Sequence, residues 1–244
     1  MNDDLSALSY PDNPKPHNEY KDMQTNGTPT SLTSQTYQCI HDMIIRGDLP
    51  PGQKLKIETL RKTLGTGASP IREALSLLTN DHLVERIDQR GFRVAHIDLE
   101  SFQELLKTRC WLEEIALRES IEHGDDEWEE RLVLAHHRLS RTPRSIDSSS
   151  FIINTEWEAK HRLFHIALLS ACGSSMMLKF CDQLYDQNVR YRNIAEPTAY
   201  PKRNSNKEHD QLLKLSLDRK ADEAVDALVK HYIKTGDFLS KQIE

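Results

Sequence analysis

No stretch of this 244-residue sequence approaches the run of about 18 apolar residues that a membrane-crossing helix requires. Its first 30 residues lack a basic segment followed by an apolar core, so they do not read as a secretory signal. Both absences predict a cytoplasmic chain with no membrane partner. Cysteine is scarce: Cys39, Cys110, Cys172 and Cys181 include no CxxC pair, which argues against a disulfide framework and predicts reduced core thiols. Internal repeats are missing, and the sole low-complexity tract, Ser148-Ser149-Ser150, reads as a loop. An excess of positive charge is lacking too; the net charge is -6, which argues against a nucleic-acid partner until it is divided along the chain.

Residues 1–30 carry two Lys/Arg against five Asp/Glu, residues 31–97 nine against seven, and residues 98–244 21 against 26. Basic charge is therefore concentrated, weakly, in the middle segment, and strong non-specific binding to phosphate is not expected. With 37% hydrophobic and 29% charged residues, the composition is that of a soluble globular protein of one large or two small domains. Pro11, Pro14, Pro16 and Pro29 stand among Asn, Asp and Ser, so residues 1–30 read as a mobile tail.

From there the apolar spacing predicts three short helices. Thr33 or Ser34 caps the first, whose apolar positions are Tyr37, Ile40, Ile44 and Ile45 and which Gly47 and Pro50-Pro51 end. Lys54 to Ile57 is a short extended approach to a second helix, about Glu58 to Leu64. Gly65 closes that helix, and a third begins near Ser69, with Pro70 in its first turn and Ile71, Ala74, Leu75 and Leu78 along one face. Leu83–Ile87 and Phe92–Ala95 read as two strands joined through Asp88-Gln89-Arg90-Gly91, with Gly91 supplying the turn. Beyond Leu99 only helical patterns remain: Leu99–Glu122 (with Leu105, Leu112, Ile115 and Ala116), Asp126–Arg141, Phe151–Cys172, Ser174–Ile194, and Lys207–Gly236 broken at Asp218-Arg219-Lys220. The expected fold is mainly α: an N-terminal winged helix-turn-helix over residues 31–97, then an antiparallel all-α bundle over residues 98–244.

A short helix with a buried stripe and a polar N-terminal end suits the DNA major groove. Arg72 leaves its first turn, where it can contact guanine or phosphate; Ser69 can cap the helix or touch phosphate. Arg61, Lys62, Arg90 and Arg93 flank it, with Arg90 and Gly91 on the wing. The competing reading makes Arg72 and Glu73 ordinary surface charges. PGQKL, LG–SPIREAL–L, LV and RGFRVA together resemble the N-terminal domain of GntR-type bacterial repressors, over about Ser34 to Ala95. That resemblance implies binding to double-stranded operator DNA. One departure stands out: Gly67-Ala68-Ser69 replaces the family's Ser-Arg-Thr, so the basic base-reader expected at Ala68 is absent.

The second half contains a histidine pattern. His161 and His165 are four apart and share a helical face, while His209 and His231 lie on the two arms of the last helix pair. Converging imidazoles suit a zinc-like ion, whereas an isolated HxxxH is often surface decoration. Arg109, Leu112-Glu113, Phe164-His165, Ala171-Cys172-Gly173, Glu208-His209 and Lys230-His231 resemble the FCD-type ligand domain of the FadR subfamily. That resemblance implies a homodimer with a divalent metal on His165, His209 and His231, zinc in first place and nickel or manganese after it. His161 stands where that subfamily has Asp or Asn; a ligand is kept and a negative charge is lost.

Arg109 precedes Glu113 by one turn, and a buried arginine there pairs with that glutamate or, as the subfamily resemblance implies, holds the effector's carboxylate. Arg190 and Arg192, in VRYRN, are candidates for a second carboxylate or are surface arginines. GDDEWEE, ACGS and VRYR extend the resemblance and imply a small carboxylate effector, a glutarate-like dicarboxylate or hydroxy acid. Two other readings use the same residues. One is a regulator whose histidine cluster is empty and whose effector is held by arginines. The other is a metallohydrolase, disfavoured by the DNA-binding half and by the lack of a clear general base, Glu158 being the nearest carboxylate.

Overall fold

A computed structural model describes residues 31–88, 90–147, 152, 154–195 and 205–243. The expected tail over residues 1–30 and the Ser148–Ser150 loop lie outside the described residues. The fold is mainly α, as the periodicity predicts. Helix α1 (Leu32–Arg46) buries Ile40, Ile44 and Ile45. It begins earlier than expected, so Thr33 and Ser34 fall within its first turn, and Thr33 Oγ1 donates to Glu73 across to the third helix at 2.8 Å.

Helix α2 (Ile57–Leu64) ends at Gly65 in the left-handed conformation, φ 63°, whose N–H closes on the Arg61 carbonyl. Helix α3 (Ala68–Asn80) follows, with Ile71, Ala74, Leu75 and Leu78 fully enclosed. Its cap is Gly67, with no side-chain bond, which corrects the capping role expected of Ser69. Ser69 is inside the first turn and its hydroxyl donates to Glu73 at 3.1 Å.

The wing has three strands rather than two. Strands β2 (Val84–Ile87) and β3 (Gly91–Val94) pair antiparallel, and β1 (Lys54–Leu55) adds to the other edge of β3. The segment predicted as a mere approach becomes a strand because Leu55 is drawn into the core, and Gly52 and Gln53 bond Val94.

The C-terminal bundle comprises α4 (Leu99–His123), α5 (Asp126–Ser140), α6 (Thr155–Leu169), α7 (Ser175–Ala195), α8 (Ser205–Leu217) and α9 (Ala221–Ile243). Four starts are side-chain capped, by Asp98, Asp125, Asn154 and Ser174, whose oxygens accept orphan helix N–H groups. The predicted break between α8 and α9 falls at Arg219, φ 56°. Trp128, Leu132, Phe164, Leu168, Leu212, Ala224 and Leu228 fill the core. Two expectations fail. Ile115 is 51% exposed, turned out of the bundle with Trp111, and Cys39 lies on the solvent side of α1. No helix among the described residues is long and apolar enough to cross a membrane.

Helix α7 also packs on α1, and its Tyr185 and Val189 join the core of the winged module. A polar seam runs beside them. Gln183 and Gln187 donate to the side chain and carbonyl of Asp81, Arg190 to the Ala95 carbonyl, and Asn193 to the Ile45 carbonyl. At its centre the His41 Nε2 meets Asp186 Oδ2 at 3.2 Å, and Arg162 from α6 grips Asp186 with two nitrogens and also reaches Asp182.

Burial would depress the His41 pKa, but its bonds to Asp186 and Asp42 outweigh burial and raise it to about 9. Its charged form therefore stabilises the fold fully below its unfolded value near 6.5, and that contribution is lost as pH rises through about 9. Melting His41→Gln beside the wild type across pH 6–10 should show the gap widest at the acid end. It should narrow by an amount on the order of 1–3 kcal/mol at the alkaline end.

Candidate functional site

On the winged module, the buried stripe of α3 leaves Arg72, Glu73 and Ser76 on the exposed side. Arg72 and Ser76 face Arg86, Gly91 and Phe92 of the wing across a groove of about 400 Å³. The other predicted cations divide into two groups. Arg61 is paired with both oxygens of Glu58, and Arg93 with Glu85, its cross-strand neighbour. Among the described residues no carboxylate pairs with Lys62, Arg72 or Arg90. Arg86 was not singled out by sequence; its signal was strand register, which sets it opposite Phe92, one pair from Gly91.

In the bundle, the fold brings four histidines together. His161 and His165 come from α6, His209 from α8 and His231 from α9; all are buried, and one nitrogen from each lies within 4.8 Å of the others. Three are oriented from behind. His161 Nδ1 meets the Tyr185 hydroxyl at 2.8 Å, His165 Nδ1 the Tyr232 hydroxyl at 2.9 Å, and His231 Nδ1 the Glu208 carboxylate at 2.7 Å. Tyr185 donates to Glu158 at 2.6 Å and Tyr232 to Glu113 at 2.5 Å. Behind these carboxylates stand Arg192, on Glu158, and Arg109, whose Nε is 2.5 Å from Glu113. The result is two parallel relays, Arg192–Glu158–Tyr185–His161 and Arg109–Glu113–Tyr232–His165.

Proton inventory then fixes the tautomers. Each phenol has one proton and gives it to a carboxylate, so each accepts from its histidine's Nδ1–H. The Nε2 atoms of His161 and His165 are left as lone pairs, and they face each other at 3.1 Å. Burial, reinforced by neighbouring histidines and arginines, holds both imidazoles well below their usual pKa, so an added proton that would make either ring an imidazolium is disfavoured. Two Nε2 atoms brought together, with Nδ1 anchored behind each, is an arrangement a cation satisfies. The four histidines fit a divalent metal on this ground.

Arg109 is 3% exposed and takes part in the ion pair that spacing suggested. Its guanidinium lies 4.0 Å from the Tyr232 ring centre, and its Nη2 has no hydrogen-bond partner among the described residues. Arg192 belongs to the site through Glu158. Arg190 does not: it is turned to the Ala95 carbonyl in the seam with the winged module. Glu158, the nearest carboxylate named from the sequence, is committed to Tyr185 and Arg192. Sequence reasoning did not find Tyr185 and Tyr232, since single tyrosines in helices carry no spacing signal of their own.

Comparison with known proteins supplies the context. Residues 32–94 match the bacterial regulatory proteins of the gntR family, and residues 104–234 match the FCD domain. The HTH-type transcriptional regulator BphR of Paraburkholderia xenovorans is 38% identical over 201 residues, 82% of either chain. The HTH-type transcriptional repressor GlaR of Escherichia coli is 34% identical over 167 residues, 68% of this chain and 74% of its own. The solved structure of E. coli McbR/YncC shares the fold, with a TM-score of 0.74 at 19% identity, covering 88% of this chain and all (100%) of that one.

The relay geometry has a consequence for stability. Glu113→Ala strands the buried Arg109 charge and the Tyr232 hydroxyl, at an expected cost of about 3–5 kcal/mol. Replacing both members, Arg109→Met with Glu113→Leu, should recover most of it. Urea unfolding in the presence of chelator measures both; equal losses in the single and double variants would rule out the stranded charge as the cause.

Proposed function

The chain belongs to the gntR family of bacterial regulatory proteins with a C-terminal FCD domain, and is a DNA-binding transcriptional regulator, not an enzyme; on that premise we propose that it is a metal-containing repressor released by a small carboxylate. Residues 31–97 hold the operator, and residues 98–244 sense the effector and form the homodimer. The observation that carries the metal is the 3.1 Å approach of the His161 and His165 Nε2 atoms, each ring anchored through Nδ1 to a tyrosine. His209 and His231 complete the donor set. Four imidazole donors suit zinc or nickel better than manganese, which prefers oxygen ligands.

A bound dication supplies a Lewis-acid position for a carboxylate oxygen. Arg109 stands behind Tyr232 with its Nη2 unspent, so a second carboxylate oxygen has a cationic donor. A glutarate-like dicarboxylate or hydroxy acid is the class that the sequence resemblance favours. The repressor sign is supported by the name of GlaR, a transcriptional repressor. A second copy is supported by exposed Trp111 and Ile115 on α4 with Met176 and Phe180 on α7, two helices that pack together. In a dimer each winged module takes a half-site about one helical turn from the other. Full release requires the effector to favour the released state by roughly 5 kcal/mol, shared between two sites.

On the DNA, Arg72 reads a base, with Ser69, Arg86, Arg90 and Gly91 close to the backbone. Lys62 neutralises phosphate, while Arg61 and Arg93 contribute less because Glu58 and Glu85 hold them. Arg72→Ala should cost about 1–3 kcal/mol and change the sequence selected from random duplexes; Lys62→Ala should weaken all sequences alike and lower the salt slope. An unchanged selected sequence in Arg72→Ala would remove it as a reader.

Metal analysis of protein purified without an affinity tag should find close to one zinc or nickel per chain. Titration of operator-bound protein with glutarate and related acids should release it at or below millimolar concentration. Arg109→Lys, which keeps the charge beside Glu113 but loses the fork, should bind operator normally and need at least about tenfold more effector. No release by any carboxylate would count against the effector class, and metal-free protein would leave the arginine-held alternative.

A further inference from the structure

Helix α7 bears two residues, adjacent in sequence, that look toward different partners. Tyr185 places its hydroxyl on His161 and Glu158 while its ring belongs to the core of the winged module. Asp186 binds His41 of α1 and, through Arg162, the segment of α6 between His161 and His165. We propose that Tyr185 and Asp186 are positioning residues that carry the occupancy of the histidine cluster to the DNA-binding helices, Tyr185 through His161 and Asp186 through His41. The proposal rests on the metal reading given above.

The physical reason lies in the direction of the hydrogen bonds. With a cation on the cluster, His161 keeps its proton on Nδ1, donates it to Tyr185, and Tyr185 donates onward to Glu158. Without a cation, two lone pairs face each other at 3.1 Å. Repulsion is relieved when one ring carries its proton on Nε2 instead. The number of protons is unchanged, but that ring's Nδ1 becomes an acceptor. Its tyrosine must then turn its own proton from the carboxylate to the imidazole.

Two rings could make this change, and their carboxylates decide which one does. If His165 changes, Glu113, whose side chain is 2% exposed, loses Tyr232 with no water to replace it. If His161 changes, Glu158 loses Tyr185, yet its side chain is 20% exposed and Arg192 stays bound. A lost hydrogen bond costs more where water cannot substitute. The His161 relay therefore yields, and Tyr185 is the tyrosine whose hydroxyl changes partner.

That choice matters because Tyr232 faces the bundle, whereas Tyr185 packs against the winged module. The exchanged bond at Tyr185 bears on its neighbour Asp186, which holds α1 through His41 and α6 through Arg162. Gln183, Gln187, Arg190 and Asn193 contact the winged module from the same side of α7 but have no bond to the cluster or to Arg162. They make the interface; Tyr185 and Asp186 make it responsive.

The test uses the full chain and the duplex that wild type selects from a random pool. Operator Kd is measured in chelator and in saturating Zn²⁺, and the ratio of the two is the coupling. Hydrogen exchange of residues 37–46 is followed under both conditions. For wild type the ratio is expected to differ from one by about 5–150-fold, with zinc-dependent exchange in α1. Tyr185→Phe keeps the ring in the core, and with zinc saturating its ratio should fall below about twofold. Asp186→Asn should bind zinc as wild type does and show the same loss of coupling. Asn193→Ala, which removes a seam bond unconnected to the cluster, should retain the wild-type ratio.

Wild-type coupling in both Tyr185→Phe and Asp186→Asn, each shown to bind zinc, overturns the proposal while leaving the metal reading intact. So does an equal loss in Asn193→Ala, which would mean that the seam acts only as packing. Absence of zinc binding in the wild type overturns the metal reading and the coupling together.

Discussion

Two neutral imidazoles, held so that their lone pairs meet, set the terms for the rest of the bundle. His161 and His165 sit one helical turn apart on α6, and unsupported they would rotate apart or take up a proton. Tyr185 and Tyr232 prevent the first by fixing Nδ1, and burial prevents the second. Each tyrosine in turn needs an acceptor, which brings Glu158 and Glu113 into the interior. Each carboxylate needs a cation, which brings Arg192 and Arg109. Burying this many polar groups is tolerable only because every link is satisfied by the next. The chain of requirements recruits α4, α6, α7 and α9 and ends at one atom with a donor to spare, Arg109 Nη2.

The DNA-facing half is organised on the opposite principle, economy of charge. The winged region carries only a slight basic excess, and part of it is spent internally on Glu58 and Glu85. The phosphate contribution to affinity scales with the cations that neutralise backbone charge, so non-specific binding should be weak. Recognition then falls to a few groups placed by rigid elements. Arg72 stands on a helix whose opposite face is sealed into the core, and Arg86 on a strand whose register is fixed by β3. On the proposed reading, Ala68, standing where the resemblance implies a basic reader, shifts weight onto Arg72 and the wing.

The parts of this architecture that were legible in the sequence are those fixed by local periodicity or backbone conformation. Ile71, Ala74, Leu75 and Leu78 announce α3 by spacing, and Gly65 announces the left-handed stop before it. The Asp218–Lys220 break and the shared face of His161 and His165 follow from helix phase, whereas the convergence of His209 and His231 on them was implied by the family resemblance. What stayed hidden depends on tertiary context. Nothing local marks Lys54-Leu55 as a strand until β3 is beside it. Ser69 resembles a cap, yet the helix begins one residue earlier and Glu73 takes its hydroxyl. Arg190 and Arg192 are equivalent in VRYRN, but a two-residue step is 200° around a helix, so one reaches Glu158 and the other Ala95. Ile115 fits the apolar pattern of α4 and is nevertheless exposed, because another face of α4 meets the bundle.

The same angular arithmetic makes α7 the element on which the two halves depend. Tyr185 and Arg192 are seven residues apart, close to two full turns, and therefore share the side facing the histidines. Gln183, Asp186, Gln187, Arg190 and Asn193 recur at intervals of one or three residues on the neighbouring side, and all five contact the winged module. A hydrogen-bonded helix does not bend easily between adjacent residues, so rotation at one of these faces is rotation at the other. A change of a few degrees at the cluster is imposed on five polar contacts and on the Tyr185 and Val189 packing together. Coupling between metal, effector and operator then needs no contact between α3 and the histidines. It needs only that α7 have two preferred settings and that the occupancy of the cluster discriminate between them.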